Sequence, residues 1–159
     1  MFNFSRKPQE KTNAFTSRLF DEKSFYTSFL KDLRHCRKEV IIESPFITSK
    51  RVDYLYPVFE RLINKGVKTY VITRDPNLHE EGFAEQSETE IRRFEELGIQ
   101  VLTAQNYHHR KLAILDRQIL WEGSLNILSQ ARSREIMRRI EGKDHAQEMF
   151  DFLQLGRFI

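Results

Sequence analysis

Tyr107-His108-His109-Arg110-Lys111-Leu112-Ala113-Ile114-Leu115-Asp116 is the stretch on which the reading of this chain turns. Lys111 to Leu115 is a short, mainly apolar run and predicts a strand. The sequence continues through Gln118-Ile119-Leu120-Trp121-Glu122-Gly123-Ser124-Leu125-Asn126, with a second strand predicted over Ile119 to Glu122. Only Asp116-Arg117-Gln118 separates the two, a spacing that suits a hairpin. Side chains two apart on a strand leave the same face. His109 and Lys111 therefore stand together, a nucleophilic base beside a fixed cation. His108 and Arg110 take the alternate face; His108 is expected at the surface or in a loop, and Arg110 is a candidate DNA contact. Gly123-Ser124-Leu125-Asn126 offers a close backbone approach, a hydroxyl and an amide, all able to donate to phosphate oxygens. A hairpin brings the two clusters together.

Upstream of this segment, helices and strands alternate. Phe25, Phe29, Leu33 and Cys36 fall at helical spacing between Ser24 and Arg37. Val40-Ile41-Ile42 opens a strand that runs out at Glu43-Ser44-Pro45-Phe46-Ile47. Val52, Leu55, Phe59, Leu62 and Ile63 line a second helix, stopped by Gly66. Val67 to Thr73 reads as a strand, Arg74 to Asn77 as a turn, and His79 to Ser87 as a charged loop. Glu88 to Leu97 is a helix closed by Gly98, and Ile99 to Thr103 a strand. This alternation predicts an α/β fold: a mostly parallel, mixed sheet with helices on both faces. Downstream, Glu135 to Ile140 reads as a last strand and Lys143 to Leu153 as a closing helix. Residues 1–22 read as an N-terminal arm, and 23–159 as one catalytic domain.

Composition narrows the setting. The chain has 159 residues, 40% hydrophobic and 31% charged, with thirteen Phe. That length is ordinary for a single globular domain. Net charge is +3 and the isoelectric point is about 9.0, which permits a polyanionic partner without requiring one. A single cysteine, Cys36, allows no intrachain disulfide. No run approaches the ~20 apolar residues of a membrane span, and no signal peptide opens the chain, so a cytoplasmic protein is expected. No His, Asp or Glu cluster has ligand spacing, so neither metal nor cofactor is expected. His79, Arg74 and Lys50-Arg51 fall in loops after strands and are candidate phosphate contacts, while His35 and His145 read as solvated helix positions.

Taken together, His109, Lys111 and Asp116 spell His-x-Lys-x-x-x-x-Asp, followed after a short gap by Gly123-Ser124-Leu125-Asn126. This resembles the signature of the phospholipase D superfamily. Ser44-Pro45-Phe46-Ile47 and Gly66-Val67 also look like the first half of such domains, especially those of bacterial helicases and restriction systems. The resemblance spans roughly residues 24 to 153 and implies a phospholipase D-like fold. It implies that His109 is the nucleophile of a phosphohistidine intermediate. Lys111, Ser124 and Asn126 would hold the phosphoryl oxygens. Glu135, in Ser133-Arg134-Glu135-Ile136, would orient a catalytic imidazole, its own or a partner's. Asp116 and Gly123 would support the fold.

The superfamily chemistry needs two histidines, one to attack phosphorus and one to protonate the leaving oxygen. This chain carries one His-x-Lys motif. A twofold homodimer supplies the second, as in the small single-motif bacterial nucleases of the superfamily. The expected function is a metal-independent endonuclease acting on nucleic acid, DNA in preference to RNA. The alternatives are a phospholipid hydrolase or transferase, which would want an apolar groove, and a degenerate DNA-binding or dimerisation module. Intact His109, Lys111, Ser124, Asn126 and Glu135 argue against the last, since a binding module has no need of a nucleophile.

Overall fold

The computed structural model describes residues 14–129 and 132–159. In chain order it holds β1 (Thr16–Asp21), α1 (Phe25–His35), β2 (Glu39–Glu43), α2 (Ser49–Asn64), β3 (Lys68–Arg74), α3 (Glu81–Leu97), β4 (Gln100–Ala104), β5 (Leu112–Leu115), β6 (Ile119–Gly123), β7 (Ile136–Glu141) and α4 (Lys143–Phe152). Short 3₁₀ turns at Pro76–Leu78 and Leu155–Arg157 follow β3 and α4. The strands form one sheet in the order β1-β7-β6-β5-β2-β3-β4.

The expected mixed α/β architecture is present, but the expected parallel majority is not. Only β2-β3 and β3-β4 pair in parallel. The other neighbours, β2-β5, β5-β6, β6-β7 and β7-β1, are antiparallel. The reason lies in the connections. Helical crossovers return β3 and β4 to the direction of β2, whereas the tight turn after Leu115 forces β6 back along β5.

That turn is built without glycine. Asp116 and Arg117 take φ of 50° and 51°, the left-handed geometry that a two-residue hairpin turn demands. Asp tolerates it, and here the carboxylate has further work. It accepts the backbone N–H groups of Arg37, Lys38 and Glu39 at 2.9, 2.8 and 2.9 Å. Asp116 thus joins the hairpin to the start of β2 and lies at the sheet end away from His109.

The sheet's two faces differ in cover. α1, α2 and α3 bury Phe25, Phe29, Leu33, Phe59 and Phe94 against Val40, Ile42, Val71 and Trp121. Trp121 is fully buried, with Phe25 edge-on at 5.1 Å. Its indole N–H donates to Asp32 at 2.9 Å. On the opposite face α4 sets Ala146 and Phe150 over Ile114, Leu120 and Ile140. No helix among the described residues is long and apolar enough to cross a membrane.

Two local expectations are corrected. Thr16–Asp21, read as part of an arm, is the edge strand β1, in register with β7 from Thr16↔Glu141 to Asp21↔Ile136. It is exposed along most of its length, so it carries no period-2 apolar pattern. Residues 1–13 of the expected arm lie outside the described residues. The expected loop at 79–87 is largely helical, since α3 begins at Glu81. Gly82 and the run of charges there mask a first turn that has little to bury.

Candidate active site

The carboxyl ends of β2, β3, β4 and β6 point the same way, and β5 and β7 begin at that edge. Glu43, Arg74, Ala104, Lys111, Gly123 and Ile136 therefore end or precede strands along one rim. The loops that leave this rim carry the sequence motifs. Crevices at the carboxyl ends of strands are where α/β sheets place ligands.

His109 and Lys111 precede β5, which starts one residue later at Leu112. The expected alternation nevertheless holds. Lys111 Nζ lies 2.9 Å from His109 Nδ1 and donates to the His109 carbonyl oxygen at 2.8 Å. The ammonium beside it, more than burial or Arg74, holds the His109 imidazole below its ordinary pKa. The ring is neutral and exposed at neutral pH, as a nucleophile must be. Partial burial lowers the Lys111 pKa, while the Glu135 carboxylate favours its charged form.

The facing segment comes from the end of β6. Gly123 N–H donates to the Lys111 carbonyl at 3.3 Å, which ties the two motif segments together. Gly123 admits no side chain: a Cβ there would lie 2.1 Å from the Ile136 carbonyl oxygen and 2.8 Å from Met137 Sδ. Ser124 follows, with its N–H donating to the same Ile136 oxygen at 2.9 Å. Its hydroxyl donates to Glu135 and accepts the Ile136 N–H at 3.0 Å. Asn126 buries its Oδ1, which has no hydrogen-bond partner among the described residues. The backbone beyond it is pinned from below. Tyr26 Oη donates to the Ile127 carbonyl at 2.8 Å, and Leu128 N–H donates to Ser44 Oγ at 3.1 Å.

Glu135 closes this group from the β7 side. Its carboxylate accepts from the hydroxyls of Ser124 and of Ser133, the latter at 2.5 Å. Its N–H donates to the Glu22 carboxylate at 3.0 Å. Both of its recorded side-chain partners are serines of its own chain.

His108 and Arg110 turn to the other side, and both meet Glu43. His108 lies in the loop before β5, one of the two places expected for it, but not at the surface: the side chain is buried, and desolvation with nearby cations drives its pKa down to about 4. It is therefore neutral at pH 7. His108 Nε2 lies 3.4 Å from Glu43 Oε2 and has no hydrogen-bond partner among the described residues; with the ring neutral, the contact is not an ion pair. Arg110 holds Glu43 with two bonds, Nε to Oε2 at 2.7 Å and Nη2 to Oε1 at 3.2 Å. Glu43 was not among the residues singled out from the sequence. A carboxylate closing the run Val40-Ile41-Ile42 was the available signal, because a buried acid needs a partner.

Arg74, a candidate phosphate contact, ends β3 and donates from Nε and Nη2 to the His108 carbonyl at 3.2 and 3.1 Å. Its guanidinium lies 4.9 Å from the Phe46 ring and 5.8 Å from the Tyr107 ring. It forms one wall of a cleft of about 560 Å³, with His79, Phe83 and Ser129 among the other walls. Lys50 and Arg51 are not in a loop; they open α2, and Arg51 stacks 3.7 Å from the Tyr26 ring. His35 is exposed on α1, whereas His145 on α4 packs 4.2 Å from Phe15. No group of three or more His, Cys, Asp or Glu among the described residues is arranged to hold a metal ion.

Similarity to known proteins agrees with this geometry. No curated protein matches the chain in sequence. Nuc from Salmonella typhimurium, a phospholipase D family member, superposes with a TM-score of 0.72 at 14% identity, over 89% of this chain and 93% of that one. NucT from Helicobacter pylori gives 0.66 at 18% identity, over 89% and 94%. Polyphosphate kinase from Porphyromonas gingivalis gives 0.68 at 13%, over 88% of this chain but 26% of that one. At these identities the likeness is one of fold. The family model described as the phospholipase D-like domain of cardiolipin synthase matches residues 29–154, which is most of the chain. With its His-x-Lys pair and Gly-Ser-x-Asn turn on one rim of that fold, the chain belongs to the phospholipase D-like family.

Proposed function

We propose that the protein is a metal-independent phosphodiesterase that cleaves nucleic acid, DNA by preference, through a covalent phosphohistidine. The observation that carries this reading is the contact between His109 Nδ1 and Lys111 Nζ at 2.9 Å, at a rim shared with Ser124. A neutral imidazole beside a fixed ammonium is a nucleophile next to its own electrostatic stabiliser. A phosphate entering the site gives Lys111 oxygen partners in place of Nδ1. The ring then has an unprotonated nitrogen free to attack phosphorus. The P–O bond to the leaving strand breaks, and the developing charge is met by Lys111, Ser124 and Asn126.

The leaving oxygen needs a proton, and this chain has one His-x-Lys motif. We assign the acid to the same histidine of a second copy, in a twofold homodimer, carried as imidazolium, so that one ring of the pair is neutral and attacks while the other brings the proton. That histidine then takes a proton from water, which attacks the phosphohistidine, breaks the P–N bond and restores the first ring. Glu135 would orient one of the two imidazoles once they meet. The cytoplasm is the expected setting, since the lone thiol, Cys36, is buried and requires no oxidising compartment.

A second reading is favoured by one feature. A groove of about 520 Å³ lined by Ile72, Val101, Leu102 and Phe158 runs beside Arg110 and could take an acyl chain, as a phospholipid hydrolase would need. One experiment separates the readings. Plasmid, RNA and anionic phospholipid vesicles are incubated with wild-type protein and His109→Ala in excess EDTA. Cleavage of DNA by the wild type alone is the expected outcome. Strict dependence on an added divalent ion, or turnover of lipid alone, would overturn the nuclease reading.

A further inference from the structure

Phe46, Arg74, His79 and Phe83 build an aromatic cleft whose walls come from three separate elements. Phe46 lies in the segment after β2, Arg74 ends β3, and Phe83 stands in the first turn of α3. The Phe46 ring is tilted against His79 at 5.2 Å and lies edge-on to Phe83 at 6.5 Å. Phe83, which lines the cleft, is 51% exposed. The exposed part of the Phe83 ring offers the cleft a surface for a planar group.

The cleft is tied to the site through the backbone. Arg74 donates twice to the carbonyl of His108, the neighbour of His109. Ser129, on the far wall, donates its N–H to the carbonyl of Asn126 at 3.1 Å. One wall is thus held by each of the two motif segments. The cleft therefore neighbours the two segments that would hold a phosphate.

The chemistry of the walls selects the occupant. The flat guanidinium of Arg74 lies 4.9 Å from the Phe46 ring, so the cleft pairs a planar cation with aromatic rings, the set of groups on which a base stacks. Burial and the Arg74 cation hold the His79 pKa below its usual value, so this ring adds no positive charge to the cleft at neutral pH. Glu80 at the rim can accept from an exocyclic amino group but would repel a second phosphate. An acyl chain fits these walls poorly, because it would bury a guanidinium and a carboxylate against hydrocarbon. A volume of about 560 Å³ lies within the range of small-molecule sites and is ample for one base with its sugar.

From this we infer that the cleft is a stacking subsite for one unpaired nucleobase flanking the scissile phosphate, so that single-stranded nucleic acid is the preferred substrate. This rests on the nucleic-acid reading of the His109 site. A base inside a duplex keeps both faces on its neighbours and cannot enter without unstacking. Every base has a π-face, so the subsite imposes little sequence preference.

The test measures binding apart from turnover. A fluorescein-labelled oligothymidylate and a wholly abasic deoxyribose-phosphate strand of equal length are titrated by anisotropy against wild type, Phe83→Ala and Phe83→Leu. The two strands carry the same charge and differ only in bases. The wild type should bind the base-bearing strand tighter by on the order of tenfold. That ratio should collapse toward one in Phe83→Ala and remain low in Phe83→Leu, which keeps apolar bulk but loses the π-face. Phe46→Leu serves as a second variant if a thermal melt shows that either Phe83 variant is unfolded. A wild-type ratio near one, or a ratio that survives loss of the ring, overturns the inference. Lost binding to dioleoylphosphatidylglycerol vesicles with an unchanged ratio also overturns it and gives the cleft to lipid. Cleavage of the same strands is read in parallel. If the wild type cleaves neither, the phosphodiesterase reading falls, while the affinity ratio still decides the subsite.

Discussion

Arg110 grips the carboxylate of Glu43 through two hydrogen bonds, at 2.7 and 3.2 Å, although Glu43 is fully buried at the end of β2. The pair anchors the residue that follows His109, and buried His108 packs against the same carboxylate, its Nε2 3.4 Å from the oxygen that Arg110 Nε binds. His109 is thus suspended between two side chains fixed on one acid. Burial raises the Glu43 pKa, and Arg110 opposes the rise. Removing one partner leaves an uncompensated buried charge. Because the Arg110 side chain is half exposed and solvent shares in screening the acid, Arg110→Met should cost about 1–3 kcal/mol in urea unfolding. The double variant Glu43→Leu/Arg110→Met should recover most of that loss, because no charge is stranded. Equal losses in the single and double variants would mean that the ion pair is not what holds this segment.

His108 makes stability depend on pH in a predictable direction. Its folded pKa is about 4, against about 6.5 unfolded. Between those values the unfolded chain binds a proton that the folded chain refuses. The contribution of the neutral ring is therefore fully present above about pH 6.5 and lost as pH falls toward 4. The loss amounts to about 3 kcal/mol at most. Thermal melts from pH 7 to 4 should show a steeper decline for wild type than for His108→Asn. Parallel curves would show that His108 is not buried in its neutral form.

His109 titrates below the usual histidine value because the Lys111 ammonium stands beside it. Removing that cation should raise the imidazole pKa in Lys111→Met, followed through the ring proton shifts by NMR. In the wild type, the acid limb of the cleavage rate should lie below pH 6.5, since protonation there consumes the nucleophile. A His109 pKa that ignores Lys111 would break the proposed pairing of base and cation.

The parts of this site that were legible in the sequence are those set by period and by local chain chemistry. Alternation alone placed His109 with Lys111 and apart from His108 and Arg110, even though β5 proper begins only at Leu112. Asp116-Arg117-Gln118 marked the hairpin, and the apolar spacing of Phe25, Phe29 and Leu33 marked α1. Non-local facts were not legible. β1 owes its place to seven-strand topology and a partner more than a hundred residues away, not to its own exposed face. The antiparallel majority follows from where β5 inserts, beside β2, which no single segment encodes. Glu43 looked like a strand end until His108 and Arg110 converged on it. The Phe46–Arg74–Phe83 cleft combines residues whose neighbours in sequence read as turn and loop.

Gly123 is required by space and not by backbone angle, for it is absent from the positive-φ positions. Gly123→Ala would drive a methyl to 2.1 Å from the Ile136 carbonyl oxygen. That oxygen accepts the Ser124 N–H, so relief of the clash must part β6 from β7 at the active-site rim. The expected cost is about 1–3 kcal/mol, the range for overpacking, together with a loss of cleavage from a displaced Ser124. Denaturant melts and cleavage rates on the same sample check both. Full activity in a stable Gly123→Ala protein would show that this rim can shift without consequence.

The proposed shared site makes its own numerical demand, which comes from counting histidines. If each active centre needs His109 from two copies, a mixed dimer with one His109→Ala subunit has half a site and should be inert. Wild-type and variant chains are mixed at fixed total protein under conditions that permit subunit exchange. The fraction of fully wild-type dimers goes as the square of the wild-type fraction. An equal mixture should then retain roughly a quarter of the activity of the all-wild-type sample. Chains that work alone would retain about half, by the same counting. The two cases diverge across the whole titration, a parabola against a straight line, so the result does not hang on one mixture. Exchange must be shown independently, by energy transfer between subunits labelled at Cys36→Ser-compatible surface positions, because unexchanged homodimers also give a straight line. A linear titration with exchange established would mean that one His109 is enough for each centre, and the composite site would have to be abandoned.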